Sequence, residues 1–539
     1  MESPFTALRG LKNDIVKKIY IDFVKIQEMF FMITLFFITT IIFLAICNSQ
    51  AHACMTILVG RKASKTAEVL VAHNEDAPGD FLMQTHLVKK STRPQNSRRK
   101  FEPDLAEITL PDETAKLFWS EARTIRQKYS ASAFCDLFVN SNGVAICSNN
   151  CAESIEKNPD LTDSQDPENI GGIGYGFRRL IAEQALTASH AVKIATQLVD
   201  RYGYASSGRS YAFADKDAIW VMQIVNGKHY AIQKVPDDEV CVIPNHYTIH
   251  EPFKNAPGCG ELIDYAKKQN WFSGFEAGFD FAAAYQDPNS KSLDKNIYRH
   301  VRTLELILDQ KLDELLTQKI PFSVKPAKKI DIAMLKKLLR NHFENTAQDS
   351  FGNNTPHFSK PLTVCNSETL ESTIIEFRDN PAGTILRRAL GEPCLGIYMP
   401  WYLGIEKLPL GYESLNPQES LDTHFKTSDS EFEYSEQNIW FKIREIQKAA
   451  NESFPEKAQI IRSIIKSVEE RLERELSMMD MQILPRLETD PENMTAMMEG
   501  AVKTWAVSVE TGLKHIISEA KIELPKIPQE ILFDDDTNA

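Results

Sequence analysis

The chain has no basic excess: 61 Lys and Arg stand against 74 Asp and Glu, a net charge of −13. That balance cannot replace the counterions of a phosphate backbone, so no nucleic-acid partner is expected. Cysteine is sparse, nine in 539 residues, which excludes a disulfide scaffold. No H-E-x-x-H occurs, so zincin chemistry lacks its ligands. No C-G-[SA]-C-[WY] surrounds any cysteine, which excludes papain-type chemistry. The glycine-rich stretch Gly171–Gly176 lacks a P-loop lysine and no strand leads into it, so it is not a nucleotide loop. Sustained heptads and 20–50-residue repeats are missing too. Cys147 and Cys151 have no second pair or nearby His, so buried thiols or one local bridge fit them better than a metal. No cofactor is implied.

What remains is a globular composition, 43% hydrophobic and 25% charged, behind an unusual N-terminus. Met29 to Ile46 carries no charge; Lys17, Lys18 and Lys25 precede it and Ala51-His52-Ala53 follows. A basic flank, an apolar stretch and a small-x-small site describe a signal peptide over 1–53, removed by a signal peptidase. The product would be secreted or periplasmic and would meet the membrane only through its leader. The competing reading is an uncleaved anchor, because eighteen apolar residues can just span a bilayer. A lipoprotein site at Cys47 fits less well, since Ile46 is bulky where a small residue is expected.

Beyond Cys54, short strands are expected at 55–59, 68–73, 81–88, 133–139, 144–147, 211–214, 218–225, 229–235 and 239–243. Asn140-Ser141-Asn142-Gly143 and Asn226-Gly227 read as hairpin turns. Helices are expected at 177–201, 299–316 and 330–342, and almost throughout 434–521, with breaks near Pro455 and Pro485–Pro491. Residues 89–103, 344–361 and 410–433 read as loops. The pattern predicts an α+β protein: a unit over 54–409, a polar loop over 410–433, and a helical region over 434–539 that completes the unit.

Cys54 directly follows Ala-x-Ala. Removal of Ala53 would give it a free α-amine beside its thiol, so one residue would supply nucleophile and general base. The amine titrates near 8 and can take the thiol proton directly or through one water. Such a nucleophile suits attack on an amide carbonyl, a thioester intermediate and hydrolysis, with separate donors for the oxyanion.

Cys54-Met55-Thr56-Ile57-Leu58-Val59-Gly60-Arg61-Lys62-Ala63-Ser64, followed by Val71-Ala72-His73-Asn74-Glu75-Asp76, resembles the opening of the PepD-type dipeptidases and secernins. Val235-Pro236-Asp237-Asp238-Glu239-Val240 leading to Ile243-Pro244-Asn245-His246-Tyr247 matches them strongly as well. Asn140–Ala145, Thr355-Pro356-His357, Gly391-Glu392-Pro393-Cys394 and Tyr402-Leu403-Gly404 extend the resemblance over about 54–520. It implies a four-layer αββα N-terminal-nucleophile hydrolase sandwich acting on small peptides, with a homo-oligomer left open. Carried over residue by residue, it makes Cys54 the nucleophile and Asp76 the carboxylate beside its α-ammonium. Asn245 becomes an oxyanion amide and Asn140 a further polar site residue.

The family's Arg before Asn-Glu-Asp is His73 here, a substrate-binding candidate that is neutral for much of its time at pH 7. Arg299 or Arg302 could instead bind a substrate carboxylate. Each assignment has a plainer competitor: a turn for Asp76 and Asn140, a strand-end cap for Asn245, a solvated helix face for Arg299 and Arg302, and a structural role for His357. Two rivals to a dipeptidase remain: an N-acyl amide hydrolase, like the penicillin V acylases and bile-salt hydrolases, and a non-enzymatic membrane-anchored binding protein.

Overall fold

The computed structural model describes residues 54–102, 105–124, 136–151, 171–252, 258–290, 293–312, 319–352, 354–412 and 416–525. The expected signal peptide, its Ala-x-Ala site and Cys135 lie outside these residues. The strands are β1 (Met55–Val59), β2 (Leu70–Asp76), β3 (Phe81–Val88), the two-residue pieces β4 (Ser91–Thr92), β5 (Arg98–Arg99), β6 (Ile108–Thr109) and β7 (Glu113–Thr114), then β8 (Leu117–Thr124), β9 (Leu137–Asn140) and β10 (Ala145–Asn150). They continue as β11 (Arg209–Ala214), β12 (Ile219–Ile224), β13 (Tyr230–Lys234), β14 (Val240–Ile243), β15 (Thr369–Glu376), β16 (Ile385–Leu390) and β17 (Met399–Tyr402).

β1 reads Met-Thr-Ile-Leu-Val and every residue in it is buried. A strand buried on both faces belongs inside a sheet, and β1 pairs antiparallel with β14 on one side and β2 on the other. They belong to a six-stranded sheet in the order β14-β1-β2-β15-β16-β17. A seven-stranded sheet runs β13-β12-β11-β10-β9-β8-β3.

The period of two separates the cores. On β1 and β2, Ile57, Val59, Leu70 and Ala72 join Leu304, Leu335 and Leu338 in one cluster. These leucines come from helices α3 (Leu293–Leu308) and α4 (Ile332–Leu339), which are thereby seated on that face. The alternate residues Leu58 and Val71 enter a second cluster with Phe118, Val139, Ala145 and Val221 of the other sheet. The far face of the seven-stranded sheet packs Trp119, Ile146 and Phe213 on Leu180, Ile181 and Ala195. Those belong to α1 (Gly176–Gln184) and α2 (Ala188–Tyr202). Truncating a residue such as Ile57 to Ala costs about 2–5 kcal/mol.

Helices α5 (Ile439–Glu452), α6 (Phe454–Ile483) and α7 (Pro491–Glu519) make the C-terminal region, with breaks at the two proline sites expected. Ile465, Leu472 and Trp505 join Leu386 and Trp401 of β16 and β17 in the inter-sheet cluster. Among the described residues no helix is long and apolar enough to cross a membrane.

Several expectations shift. The helix expected over 177–201 is two, because Ala185 is extended and Thr187 caps the second by accepting from His190 N. The helix expected from Arg299 begins at Leu293 and ends at Leu308. A short helix, Pro417–Thr423, interrupts the loop expected over 410–433; Asn416 caps it and Pro417 starts it. The Pro236–Glu239 turn has a mechanical role. Asp237 O accepts from Lys62 N at 2.8 Å and Ala63 N at 3.1 Å, and a Cβ on Gly60 would meet it at 2.4 Å. Two strongly matching sequence blocks therefore lock together and fix the end of β1.

Candidate active site

Cys54 is the residue before β1, and the antiparallel register sets Met55 opposite Asn74. The end of β2 thus lies beside the thiol. Cys54 Sγ donates to Glu75 Oε1 at 3.2 Å and lies 3.4 Å from the Asp76 carbonyl oxygen. The pairing of β2 with β15 is irregular between Thr369 and Glu371, opposite these two acidic residues. That irregularity lets consecutive residues serve one thiol.

His73 and Glu75 are two apart on β2 and share a face. His73 Nε2 lies 3.0 Å from Glu75 Oε2, and Nδ1 lies 2.7 Å from Thr56 Oγ1. The Thr56 hydroxyl donates to Asn149 Oδ1 at 2.5 Å, while Asn149 Nδ2 donates to Ile243 O at 2.8 Å. Both ring nitrogens of His73 therefore face acceptors, an arrangement met by the two-donor imidazolium. Both nitrogens are taken, so His73 orients Glu75 and is not placed to bind substrate.

Burial pushes the Cys54 thiol well above its ordinary value, and the charges of Glu75 and Asp76 push it further. Burial acts upward on Glu75 too, but the hydrogen bond and charge of His73, with Arg178 nearby, hold it below the usual carboxylate range. Asp76 is different. Burial lifts it to about 8 against the opposing pull of Asn366, Thr369 and Arg299. Its Oδ2 accepts from Asn366 Nδ2 at 2.8 Å, while Oδ1 is buried with no hydrogen-bond partner.

Arg299 links the opposite wall. It is fully buried, which overturns a solvated helix face. Its Nη2 donates to Asn245 Oδ1 at 2.9 Å and to Asn296 Oδ1 at 2.6 Å, and Nη1 lies 3.5 Å from Cys54 O. Asn245 Nδ2 donates to Asn150 O at 2.6 Å, so one of its two amide hydrogens is committed there. Arg302 is tied elsewhere, to Glu305 and Glu344 O.

Asn140 is not brought to this group. Its Nδ2 donates to Ala182 O and Ala185 O, and its Oδ1 accepts from Asn142 N and Val144 N, which closes the hairpin turn. Asn149 and Asn150 at the other end of β10, roughly 15 Å along the strand, instead bond to Thr56 and Asn245. Sequence alone does not single them out, nor Glu75, Thr56 and Arg178. The Arg178 side chain is buried, and its Nη1 donates to Asp136 O and Ser148 Oγ. Its Nε and Nη2 have no hydrogen-bond partner. A signal for Glu75 existed: it lies two residues from His73 on an expected strand.

The site thus joins a buried thiol hydrogen-bonded to the Glu75 carboxylate with an Asn245 amide oxygen held by Arg299. Comparison narrows the class: residues 53–450 match peptidase family C69, and the chain belongs to that family. A probable dipeptidase B of Lactococcus lactis subsp. lactis (strain IL1403) is 27% identical over 384 residues, covering 68% of this chain and 77% of its own. A probable dipeptidase of Salmonella dublin is 25% identical over 388 residues, covering 68% and 86%. A dipeptidase of Bifidobacterium longum (strain NCC 2705) is 25% identical over 398 residues, covering 66% and 72%.

Proposed function

We propose that this protein is an exported cysteine-type dipeptidase with the four-layer N-terminal-nucleophile sandwich, matured by cleavage before Cys54. The observation that carries the reading is the Cys54 thiol set at the mouth of β1 against Glu75 and Asp76. In the uncut chain Glu75 keeps the thiol protonated. Once residues 1–53 are gone, the new α-ammonium pairs with the unpartnered Oδ1 of Asp76, and the neutral amine serves as base.

The thiol proton passes to the α-amine as sulfur bonds to the carbonyl carbon of the substrate. The carbonyl electron pair moves to oxygen, which the remaining amide hydrogen of Asn245 stabilises. Collapse breaks the C–N bond, the α-ammonium returns its proton to the leaving amine, and a thioester remains. Water, deprotonated by the same amine, releases the acid and the thiol. Arg299 holds Asn245 in place, His73 positions Glu75, and the free edge of Arg178 receives the substrate carboxylate.

Hydrolysis of unblocked dipeptides and of N-acyl amides by the mature chain tests this reading. Dipeptides are expected to be cleaved, with Cys54→Ser lowering the rate at least roughly a thousandfold. Full activity in Cys54→Ser, or cleavage of acyl amides alone, would sink it.

A further inference from the structure

Thr355-Pro356-His357 and Gly391-Glu392-Pro393-Cys394 take no part in the chemistry at Cys54, yet the fold brings them together. His357 Nε2 lies 3.0 Å from Cys394 Sγ and 3.7 Å from Cys365 Sγ. His342 completes the group: one ligand atom from each of the four residues lies within 4.8 Å of all the others, and all four side chains are buried. We propose that His342, His357, Cys365 and Cys394 form a structural zinc site.

The donor set fits the ion. Two thiolates and two imidazoles at this spacing describe a closed tetrahedral site, with zinc–sulfur near 2.3 Å and zinc–nitrogen near 2.0–2.1 Å. Both rings are oriented from behind. His357 Nδ1 is 2.6 Å from Asn451 Oδ1 and 3.5 Å from Glu392 Oε2, and His342 Nδ1 is 3.3 Å from Glu344 Oε1. Acceptors at Nδ1 fix its proton there and turn the Nε2 lone pair inward, the usual outer support of a zinc-bound histidine. His342 Nε2 is buried with no hydrogen-bond partner.

Three ligands come from one loop and the fourth from a turn, with spacings that match no short zinc motif. Their position gives the ion a task. Among the described residues, 341–366 contain no helix or strand, and three of the four ligands lie in that segment. Zinc would pin it to the Pro393–Leu395 turn that follows β16. Asn366, next to Cys365, is the residue that donates to Asp76. The ion would thus support the floor of the site from behind, and its presence does not depend on the reading of Cys54.

Elemental analysis of the full chain, purified without chelator from zinc-supplemented culture, is expected to find one zinc per chain. Cobalt exchange should give the intense visible bands of tetrahedral cobalt with thiolate charge transfer in the near ultraviolet. Cys365→Ser/Cys394→Ser should lose the ion. The cobalt spectrum of the unaltered chain decides the matter even where that variant fails to fold. A chain without zinc or a thiolate–cobalt band, a Cys365–Cys394 disulfide found by mass spectrometry, or an ion retained by the double variant would each overturn the proposal.

Discussion

Cys54 and Glu75 share one hydrogen bond, 3.2 Å from Sγ to Oε1, with neither group open to bulk water. The carboxylate accepts the thiol proton's hydrogen bond and, by its charge, opposes formation of a second anion beside it. Glu75→Gln in the uncut chain should therefore lower the thiol titration midpoint, read from thiolate absorbance. An unchanged midpoint would contradict this restraint.

His73 meets two acceptors, Glu75 and Thr56. A permanent guanidinium there should serve as well as the imidazolium. His73→Arg is expected to keep kcat/KM within about tenfold, whereas His73→Gln loses more than tenfold. Equal losses in both variants would count against a charge-bearing role.

Asp76 imposes a pH dependence on the uncut chain. Its folded value of about 8 lies above the ordinary 3.8, so the folded state favours the neutral acid. The associated stability is present below about pH 4 and is lost as pH rises through 8, at up to about 1.4 kcal/mol per unit. Asp76→Asn should flatten denaturant-midpoint profiles of the uncut chain over that window. Cleavage should flatten them too, because the α-ammonium then supports the charged carboxylate. A wild-type profile already flat from pH 4 to 8 would contradict the assignment.

Arg388 clamps the two sheets. Its Nη2 donates to Glu371 at 2.6 Å and to Ser120 at 2.8 Å, and its Nη1 donates to Thr85 at 2.9 Å. Arg388→Leu leaves Glu371 charged and buried, at an expected cost of about 3–5 kcal/mol in urea unfolding. Arg388→Leu/Glu371→Leu should recover much of that loss. A double variant no better than the single would show that the clamp acts by shape alone.

The strands around Cys54 were legible because β1, β2, β3 and β11 to β14 carry aliphatic runs bounded by turn residues. β8, β15, β16 and β17 were not assigned, and for β8 and β16 charge is the reason. Ile-Leu-Arg-Arg-Ala-Leu and Leu-Phe-Trp-Ser-Glu-Ala-Arg-Thr carry interior charges that break the apolar pattern. In the fold those charges are buried and paired: Arg387 with Glu376 and Glu473, Glu121 with His86, Arg123 and His424. Only tertiary pairing makes such residues interior. Cys54, Asp76, Asn245 and Arg299 could be named because they lie in matched blocks or on an evident helix. Asn140 lies in a matched motif but closes a turn, while Asn149 and Asn150 owe their place to strand register, which one sequence does not display.

On the proposed reading, the working enzyme begins at Cys54. Intact-mass spectrometry of the fraction that hydrolyses dipeptides tests it most directly. The expected species is a chain whose first residue is Cys54, with a transient mass increase equal to one acyl group on that residue. A fraction equally active with residues 1–53 attached would contradict it.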